Sequence, residues 1–285
     1  REFVITDKKS PWHGRSLYDL YREAHTPWEW HRAIFDRAGA RGLVAFSTPF
    51  DATAVEFLES LSVPCYKIAS FENVDLPLVQ RVARTGKPLI ISTGLATLRE
   101  IGEAVATADE AGCRDLILLK CTSNYPASPT DSHLRTMAHL REAFGCEVGV
   151  SDHTLGIGAA LAAVALGATV IEKHVTLSRA DGGVDSAFSL EPGELSDLVR
   201  ESRIASQSVG SIHYGPTEGE KGSLVFRRSL YVVADVKRGE RLDARNLRAI
   251  RPGLGLAPKY LPKILGRRAA KDVSRGTPVT WDLID

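Results

Sequence analysis

The chain has 285 residues, of which 44% are hydrophobic and 25% are charged, and its formal net charge at pH 7 is +1. This length is enough to bury one large core and a second, small one. The near balance of 36 basic and 35 acidic residues gives no electrostatic reason to expect binding to nucleic acid or to an anionic membrane. We therefore expect the partner to be a small molecule.

The cysteines and the hydropathy pattern point to a reducing compartment. Cys65, Cys113, Cys121 and Cys146 have no CxxC or zinc-ligand spacing, and each lies in or beside an apolar run. This pattern favours free, buried thiols. No apolar stretch reaches about 18 residues and no signal peptide is visible, so we expect a cytoplasmic protein.

The first forty residues differ from the rest of the chain. Residues 1–11 are polar and irregular, and apolar positions between Ser16 and Ala40 have the spacing of two helices separated at Pro27. The chain begins with Arg1 and not with Met, which leads us to expect a missing N-terminal segment.

A repeating pattern begins at Leu43, in which a short apolar run is followed by a polar cluster and then by a helical segment. The predicted strands are Leu43–Phe46, Cys65–Ile68, Pro88–Ile91, Leu116–Leu119, Val148–Val150 and Thr169–Ile171. One predicted helix follows the first strand and ends near Leu61. The other predicted helices span Leu76–Ala83, Thr97–Ala111, Ser132–Phe144, Gly156–Gly167 and Pro192–Val209. Thr97 and Glu100 fit a capping box.

Six strand–helix repeats predict a parallel sheet, either a barrel or a doubly wound sheet. No GxGxxG motif follows any strand, which lowers the weight of a dinucleotide-binding fold. A parallel α/β barrel closes with eight strands, so we predict an α/β (β/α)8 TIM barrel that lacks its first two strands in this chain.

Composition also divides the chain into domains. Residues 1–210 form the predicted barrel domain, residues 211–226 a linker rich in glycine and charged residues, and residues 227–285 a small β-rich module. A module of this size has marginal stability alone, so we expect it to dock on another surface.

The polar residues that follow the strands are the candidate site. His153 and His174 occupy matched positions after two neighbouring strands and could hold a divalent metal. Four strands are followed by a hydroxyl residue, namely Thr48, Ser70, Ser92 and Ser151, and Lys67 adds a cation. Hydroxyl groups and an ammonium group that converge in this way can bind a phosphate or a carboxylate. Four acidic residues are candidate acid–base or orienting groups: Glu72, Asp152, Glu172 and Asp185. Each histidine or hydroxyl residue alone could equally be an ordinary strand-end or turn residue, and each acidic residue could equally be a salt-bridged residue at the rim.

Several motifs make the pattern more specific. FSTPFD at Phe46–Asp51, YKIAS at Tyr66–Ser70, ISTG at Ile91–Gly94, SDHT at Ser151–Thr154 and IEKH at Ile171–His174 together resemble the sialic acid synthase family. RPG at Arg251–Gly253 and GTPVTWDLI at Gly276–Ile284 resemble that family's C-terminal antifreeze-like (SAF) domain. LYDLYREAHTPWEWH at Leu17–His31 and FRRSLYVV at Phe226–Val233 are most similar to the pseudaminic acid synthase branch.

The resemblance implies a condensation of phosphoenolpyruvate with an open-chain N-acetylated amino sugar, which releases phosphate. It implies that Mn²⁺ or Mg²⁺ is held by His153 and His174 and polarises the sugar aldehyde. The implied phosphoenolpyruvate contacts are Thr48, Lys67, Ser70, Ser92 and Ser151, and Ser123 and Tyr125 match positions on the sugar side. Glu172 and Asp185 match residues that orient the sugar or water, and Phe50 and Glu72 are further candidate substrate contacts. Arg251 matches an arginine that a partner subunit inserts into the barrel mouth, which implies a homodimer with swapped SAF domains.

One departure from the family pattern leads to a prediction of its own. The family's first strand carries a glutamate and an NHxG-type motif, and its second carries a lysine that binds phosphoenolpyruvate; neither is present here. We therefore expect this chain alone to be inactive or poorly folded.

Three functions stay open from the sequence. The favoured one is a pseudaminic acid synthase acting on 2,4-diacetamido-2,4,6-trideoxy-L-altrose. The second is an N-acetylneuraminate or legionaminate synthase, and the third, of a different class, is a non-catalytic sugar- or anion-binding protein.

Overall fold

The computed structural model describes residues 2–8 and 10–285, so that Arg1 and Lys9, both within the predicted irregular segment, lie outside it. The chain divides into two compact units, one ending at Gly210 and the other spanning Ser211–Asp285. The helices are α1 Leu17–Ala24, α2 Trp28–Gly39, α3 Ala52–Ser60, α4 Leu76–Ala83, α5 Leu98–Glu110, α6 Thr136–Phe144, α7 Gly158–Ala165, α8 Pro192–Val209 and α9 Leu261–Ile264. The strands are β1 Tyr66–Ile68, β2 Leu89–Ser92, β3 Leu116–Cys121, β4 Glu147–Asp152, β5 Val170–Lys173, β6 Ser229–Val232 and β7 Leu247–Ile250.

Strands β1 to β5 form one parallel sheet in chain order. Its register aligns Ile68 with Ile91, Ile91 with Leu118, and Leu118 with Val148. Aligned residues share a face, and all four of these side chains belong to the apolar core between the sheet and its helices. The alternate residues, including Lys67, Ser92, Ser151 and Glu172, therefore lie on the opposite face.

A contact between the first and last strands shows that the sheet is strongly curved. Lys67 on β1 and Glu172 on β5 approach to 3.4 Å between Nζ and Oε2. In a flat sheet these strands would be roughly 19 Å apart, since neighbouring strands are separated by about 4.8 Å. The polar face is thus the inside of a curved sheet, as in part of a (β/α)8 barrel and not in a doubly wound sheet. The predicted fold class, a partial parallel barrel followed by a small β-rich unit, is confirmed.

The helices form where the sequence pattern indicated, and their ends have local causes. The Asp51 side chain caps α3 by accepting from Ala54 N, and Thr97 with Glu100 forms the predicted capping box on α5. The bounds of α4 and α8 agree with the prediction, and α1 and α2 are separated at Pro27 as expected. Among the described residues, no helix combines the length and the hydropathy needed to cross a membrane.

The predicted strand at Leu43–Phe46 is wrong. This segment pairs with no strand in the described part of the chain, and Leu43 and Val44 are 66% and 72% exposed. Its β-branched and apolar residues have strand propensity, but a strand also needs a neighbouring ladder to satisfy its backbone groups. Thr48 therefore follows an unpaired segment, and the sheet has five strand–helix repeats and not six.

The C-terminal unit has its own core. Strands β6 and β7 are antiparallel, and Leu230, Val232, Leu247 and Ile264 are buried with their neighbours in a second apolar cluster. Residues 218–226, which fall in the predicted linker, form a 3₁₀ helix and belong to this unit. Gly255 permits a close backbone approach, because a Cβ there would lie 2.5 Å from the carbonyl oxygen of Leu230.

The cysteines agree with the prediction of free thiols. Cys113 and Cys121 are buried, Cys65 and Cys146 are partly buried, and none of the four forms a disulfide with a described residue.

Candidate active site

A charged network lies on the inner face of the sheet, where β1, β4 and β5 contribute one side chain each. Glu172 accepts a hydrogen bond of 2.6 Å from the Ser151 hydroxyl through Oε1, and its Oε2 faces the Lys67 ammonium at 3.4 Å. Lys67 Nζ also donates to the carbonyl of Ile68 at 3.1 Å. The lysine side chain is only 5% exposed, whereas that of Glu172 is 39% exposed, so the cation lies at the base of the site and the carboxylate at its open side.

Hydroxyl groups meet at the carboxyl end of β2, around Gly94. The Ser70 hydroxyl accepts a hydrogen bond of 3.1 Å from Gly94 N. A Cβ on Gly94 would lie 2.7 Å from Ser70 Oγ and 2.2 Å from Ser123 Oγ, so both serines occupy the space that only glycine leaves free. Asn73 fixes this strand end by donating to the carbonyls of Ser92 and Gly94.

Two polar atoms beside this cluster, Ser92 Oγ and Glu72 Oε2, are buried without a hydrogen-bond partner among the described residues; Thr154 Oγ1, after β4, is a third such atom. Burial raises the pKa of Glu72, and the nearby Lys67 ammonium offsets only part of that increase. Buried polar groups are nearly always paired in native proteins, so these atoms mark a place where a polar ligand fits.

The two histidines lie side by side. Their ring centroids are 5.2 Å apart, with the rings inclined at 64°. His153 Nδ1 lies 2.9 Å from the carbonyl of Thr122, and His174 Nδ1 lies 3.5 Å from Asp185 Oδ2. Donation from His153 Nδ1 to the Thr122 carbonyl leaves Nε2 of that ring with the free lone pair. The Asp185 carboxylate on the Nδ1 side of His174 favours the same arrangement there, which is usual for metal-ligating histidines.

The protein side chains at this position do not by themselves supply enough ligands to complete the coordination of a metal ion. Within residues 2–8 and 10–285, no group of three or more His, Cys, Asp or Glu side chains is arranged to hold a metal ion. Two imidazoles with oxygen-anchored Nδ1 atoms still fit a first-row divalent ion that takes its other ligands from water or substrate. A magnesium ion fits less well, because it prefers oxygen ligands.

Tyr125 covers the histidines. Its ring centroid lies 4.3 Å from that of His153 and 6.1 Å from that of His174. Burial and the negative charges of Cys121, Asp185 and Glu172 raise the pKa of Tyr125 well above that of an ordinary phenol. The hydroxyl therefore stays protonated at neutral pH and can donate a hydrogen bond to a substrate.

The four other candidates belong to other elements: one to the outer face of β4, two to the segment before α3 and one to the C-terminal unit. Asp152, an acid–base candidate, is on the outer face: its Oδ2 pairs with the buried Lys173 ammonium at 2.8 Å and its Oδ1 accepts from Thr154 N. This ion pair favours the alternative that the sequence left open for Asp152, a salt-bridged residue. It points outward because the side chains of a strand alternate between faces and Asp152 follows the inward-facing Ser151. Thr48 is half-buried near the N-terminus of α3, and Phe50 is 63% exposed. Arg251 lies in the C-terminal unit, directly after β7.

The sequence reasoning missed three side chains of the site. Cys121 Sγ lies 3.7 Å from Ser123 Oγ and 4.0 Å from His153 Nδ1. Trp12 and Phe188 pack against the Tyr125 ring, at centroid distances of 5.5 and 5.4 Å. Cys121 had a detectable signal, since it is in register with Ser151 at the end of β3. Trp12 had none, because its segment is far from Tyr125 in sequence and belongs to no strand–helix repeat.

Comparisons with known proteins agree with this architecture. The NeuB family model matches residues 2–214 and the SAF domain model matches residues 227–285. A pseudaminic acid synthase of Helicobacter pylori is 42% identical over 276 residues, covering 96% of this chain and 81% of the relative. The N,N'-diacetyllegionaminic acid synthase of Legionella pneumophila is 37% identical, covering 94% of this chain and 77% of the relative.

A solved structure gives the same result. The N-acetylneuraminic acid synthetase of Leptospira borgpetersenii, crystallised with citrate, superposes with a TM-score of 0.68 at 32% identity, covering 72% of each chain. The chain therefore belongs to the NeuB family of sialic-type acid synthases and carries a SAF domain at residues 227–285.

Proposed function

We propose that the chain is a pseudaminic acid synthase, which condenses phosphoenolpyruvate with 2,4-diacetamido-2,4,6-trideoxy-L-altrose and water to give a nonulosonic acid and phosphate. Its relatives are phosphoenolpyruvate-dependent nonulosonic acid synthases, and the chain is a transferase of that kind. The higher identity to pseudaminic acid synthases, 42% against 37% for a legionaminic acid synthase, supports the choice of branch.

The observation that carries the proposal is the placement of a buried cation and free polar atoms next to a pair of histidines. Phosphoenolpyruvate is an anion with a phosphate and a carboxylate, and the Lys67 ammonium with the Ser70, Ser92 and Ser151 hydroxyls can bind either group. The unpartnered Ser92 hydroxyl gains a partner when the anion binds. Thr48 and Phe50, near the N-terminus of α3, are further proposed contacts.

The sugar lies, in this proposal, on the histidine side. A divalent ion held by His153 and His174, for which manganese is the better fit, would act as a Lewis acid toward the sugar aldehyde. Tyr125 donates a hydrogen bond to the sugar through its protonated hydroxyl, and Ser123 and Glu72 supply further polar contacts. Asp185 holds the His174 ring through Nδ1.

The reaction needs one carbon–carbon bond and one water. The methylene carbon of phosphoenolpyruvate attacks the aldehyde carbon, and the aldehyde oxygen becomes a hydroxyl. Water adds to the electron-poor C2. Phosphate departs with one proton of this water as the 2-keto group forms, and the other proton is lost when the water adds and ends on the aldehyde oxygen. Glu172 is the proposed acceptor of that proton, because Ser151 and Lys67 orient its carboxylate on the inner face.

Arg251 has a separate proposed role. As the first residue after β7 it presents an exposed guanidinium from the SAF domain. We propose that it reaches the barrel mouth of a partner subunit in a homodimer and binds an anionic substrate group there.

The test is phosphate release by the full-length protein with phosphoenolpyruvate and Mn²⁺. The sugars compared are 2,4-diacetamido-2,4,6-trideoxy-L-altrose, N-acetylmannosamine and 2,4-diacetamido-2,4,6-trideoxymannose. Turnover confined to the altrose compound supports the proposal. Turnover of another sugar would support the same reaction but would assign the chain to neuraminate or legionaminate synthesis. Binding without any turnover by folded protein would favour the binding-protein alternative.

A further inference from the structure

Trp12 is brought to the site by a hairpin-like segment that precedes α1. Ile5 N donates to the Arg15 carbonyl at 2.9 Å, and Gly14 N donates back to the Ile5 carbonyl at 2.8 Å. Gly14 has φ +81°, a left-handed conformation that glycine adopts without strain, so the chain can turn back directly after Trp12. These bonds hold the turn that carries the indole.

The indole contacts two elements that carry site residues. Its Nε1 donates to the Val184 carbonyl at 3.0 Å, directly before Asp185 in the chain. Its ring lies 5.5 Å from that of Tyr125 and meets the Phe188 ring edge-on at 6.3 Å. Trp12 is thus the outermost member of a group of rings that continues through Tyr125 to the two histidines.

Because Trp12 lies at the outer end of these rings, it is the ring that an apolar part of a substrate can contact. Phe188 is 2% exposed and lies beneath the other rings, whereas Trp12 and Tyr125 are only partly buried. Tyr125 presents a hydroxyl, but the indole NH of Trp12 is already bound to Val184. What remains of Trp12 is an apolar surface with no free hydrogen-bonding group, and this surface favours a methyl group over a hydroxymethyl group.

We propose that Trp12 is a specificity-determining residue that contacts the C6 methyl group of the sugar, an inference that rests on the proposed function. In the open-chain sugar the aldehyde and the C6 methyl group are the two ends of one six-carbon chain. With the aldehyde at the histidines and the chain passing along Tyr125, the methyl end reaches the indole. A sugar with a C6 hydroxyl would lose a hydrogen bond to water there without gaining one.

The test compares the trideoxy sugar with its C6-hydroxylated counterpart, 2,4-diacetamido-2,4-dideoxy-L-altrose, in full-length wild-type protein, Trp12→Ala and Trp12→Phe. We expect wild type to prefer the methyl sugar in kcat/KM by about 10-fold or more, the range for one buried methyl-sized group. Trp12→Ala should bring this ratio close to one. Trp12→Phe, which keeps an aromatic ring but removes the bond to Val184, should keep most of the preference. Trp30→Ala is the matched control, since Trp30 is 58% exposed on α2.

A second measurement does not depend on turnover. Calorimetric titration with the alditols of the two sugars, which are open-chain but have no aldehyde to react, should show the same change in preference. A merely structural role of Trp12 would lower binding of both alditols equally, and an unchanged ratio in Trp12→Ala would overturn the proposal. If the wild-type protein turned over no amino sugar at all, the proposed function would be refuted. If it turned over the trideoxy sugar but showed no preference for the C6 methyl group, only the proposed role of Trp12 would be refuted.

Discussion

Replacing Gly94 with alanine tests whether the hydroxyls at the end of β2 take part in binding and catalysis. Gly94 does not have a left-handed φ, so alanine is compatible with its backbone. The added Cβ would, however, lie 2.2 Å from Ser123 Oγ and 2.7 Å from Ser70 Oγ. Since ordinary contacts begin near 3.4 Å, both hydroxyls would have to move by about 1 Å.

The expected effect is larger on activity than on stability. A serine hydroxyl can rotate to another rotamer, so the fold survives and the loss of unfolding free energy should be about 1–3 kcal/mol, as for other overpacked sites. A displacement of about 1 Å in a substrate-binding group can cost roughly 100-fold in rate, or about 2.7 kcal/mol in transition-state stabilisation. We therefore expect kcat/KM to fall about 100-fold in Gly94→Ala.

The assay is phosphate release at varied phosphoenolpyruvate and varied sugar, with thermal unfolding measured in parallel. Gly193→Ala is the control, because Gly193 is exposed on α8 and a Cβ there meets no described atom within 4 Å. The control should keep its activity and gain a little stability from better helix propensity. Wild-type kcat/KM in a folded Gly94→Ala protein would refute the assignment of these hydroxyls to the site.

Three further predictions concern the metal, a buried carboxyl group and an ion pair. His153→Ala and His174→Ala should each lower Mn²⁺ affinity, measured by calorimetry, by at least about 10-fold, which is the lower end of what losing an outer-sphere partner costs; unchanged affinity in both would remove the metal assignment. Because burial raises the pKa of Glu72 above its unfolded value, this group contributes most stability below about pH 4, where it is protonated in both states, and loses it as the pH rises through the folded pKa. Glu72→Gln should therefore melt at a higher temperature than wild type at pH 7, with the difference vanishing near pH 4; a lower melting temperature at pH 7 would contradict this reasoning. Asp152→Ala leaves a buried ammonium unpaired and should cost about 3–5 kcal/mol in denaturant unfolding, whereas Asp272→Ala breaks an exposed pair and should change little; equal effects would argue against the burial of the first pair.

Much of the fold could be predicted from the sequence because its causes are local. Helices α4 and α8 have the predicted bounds, and the capping box of α5 could be identified from Thr97 and Glu100 alone. The apolar runs placed β1 to β5 within two residues of their observed ends. The parallel alternation then implied that the polar strand-end residues share one edge, and the contact between Ser151 and Glu172 agrees with it.

The tertiary structure decided which of these side chains meet. Leu43–Phe46 has the composition of a strand but no ladder to join, and Asp152 turns to the outer face, where Lys173 neutralises it. Trp12 reaches Val184 across 172 positions of sequence. Local composition and periodicity determine which segments become strands and helices. The curvature of the sheet and the path of its loops determine which distant side chains come within a few ångströms of each other, and no local pattern records those distances.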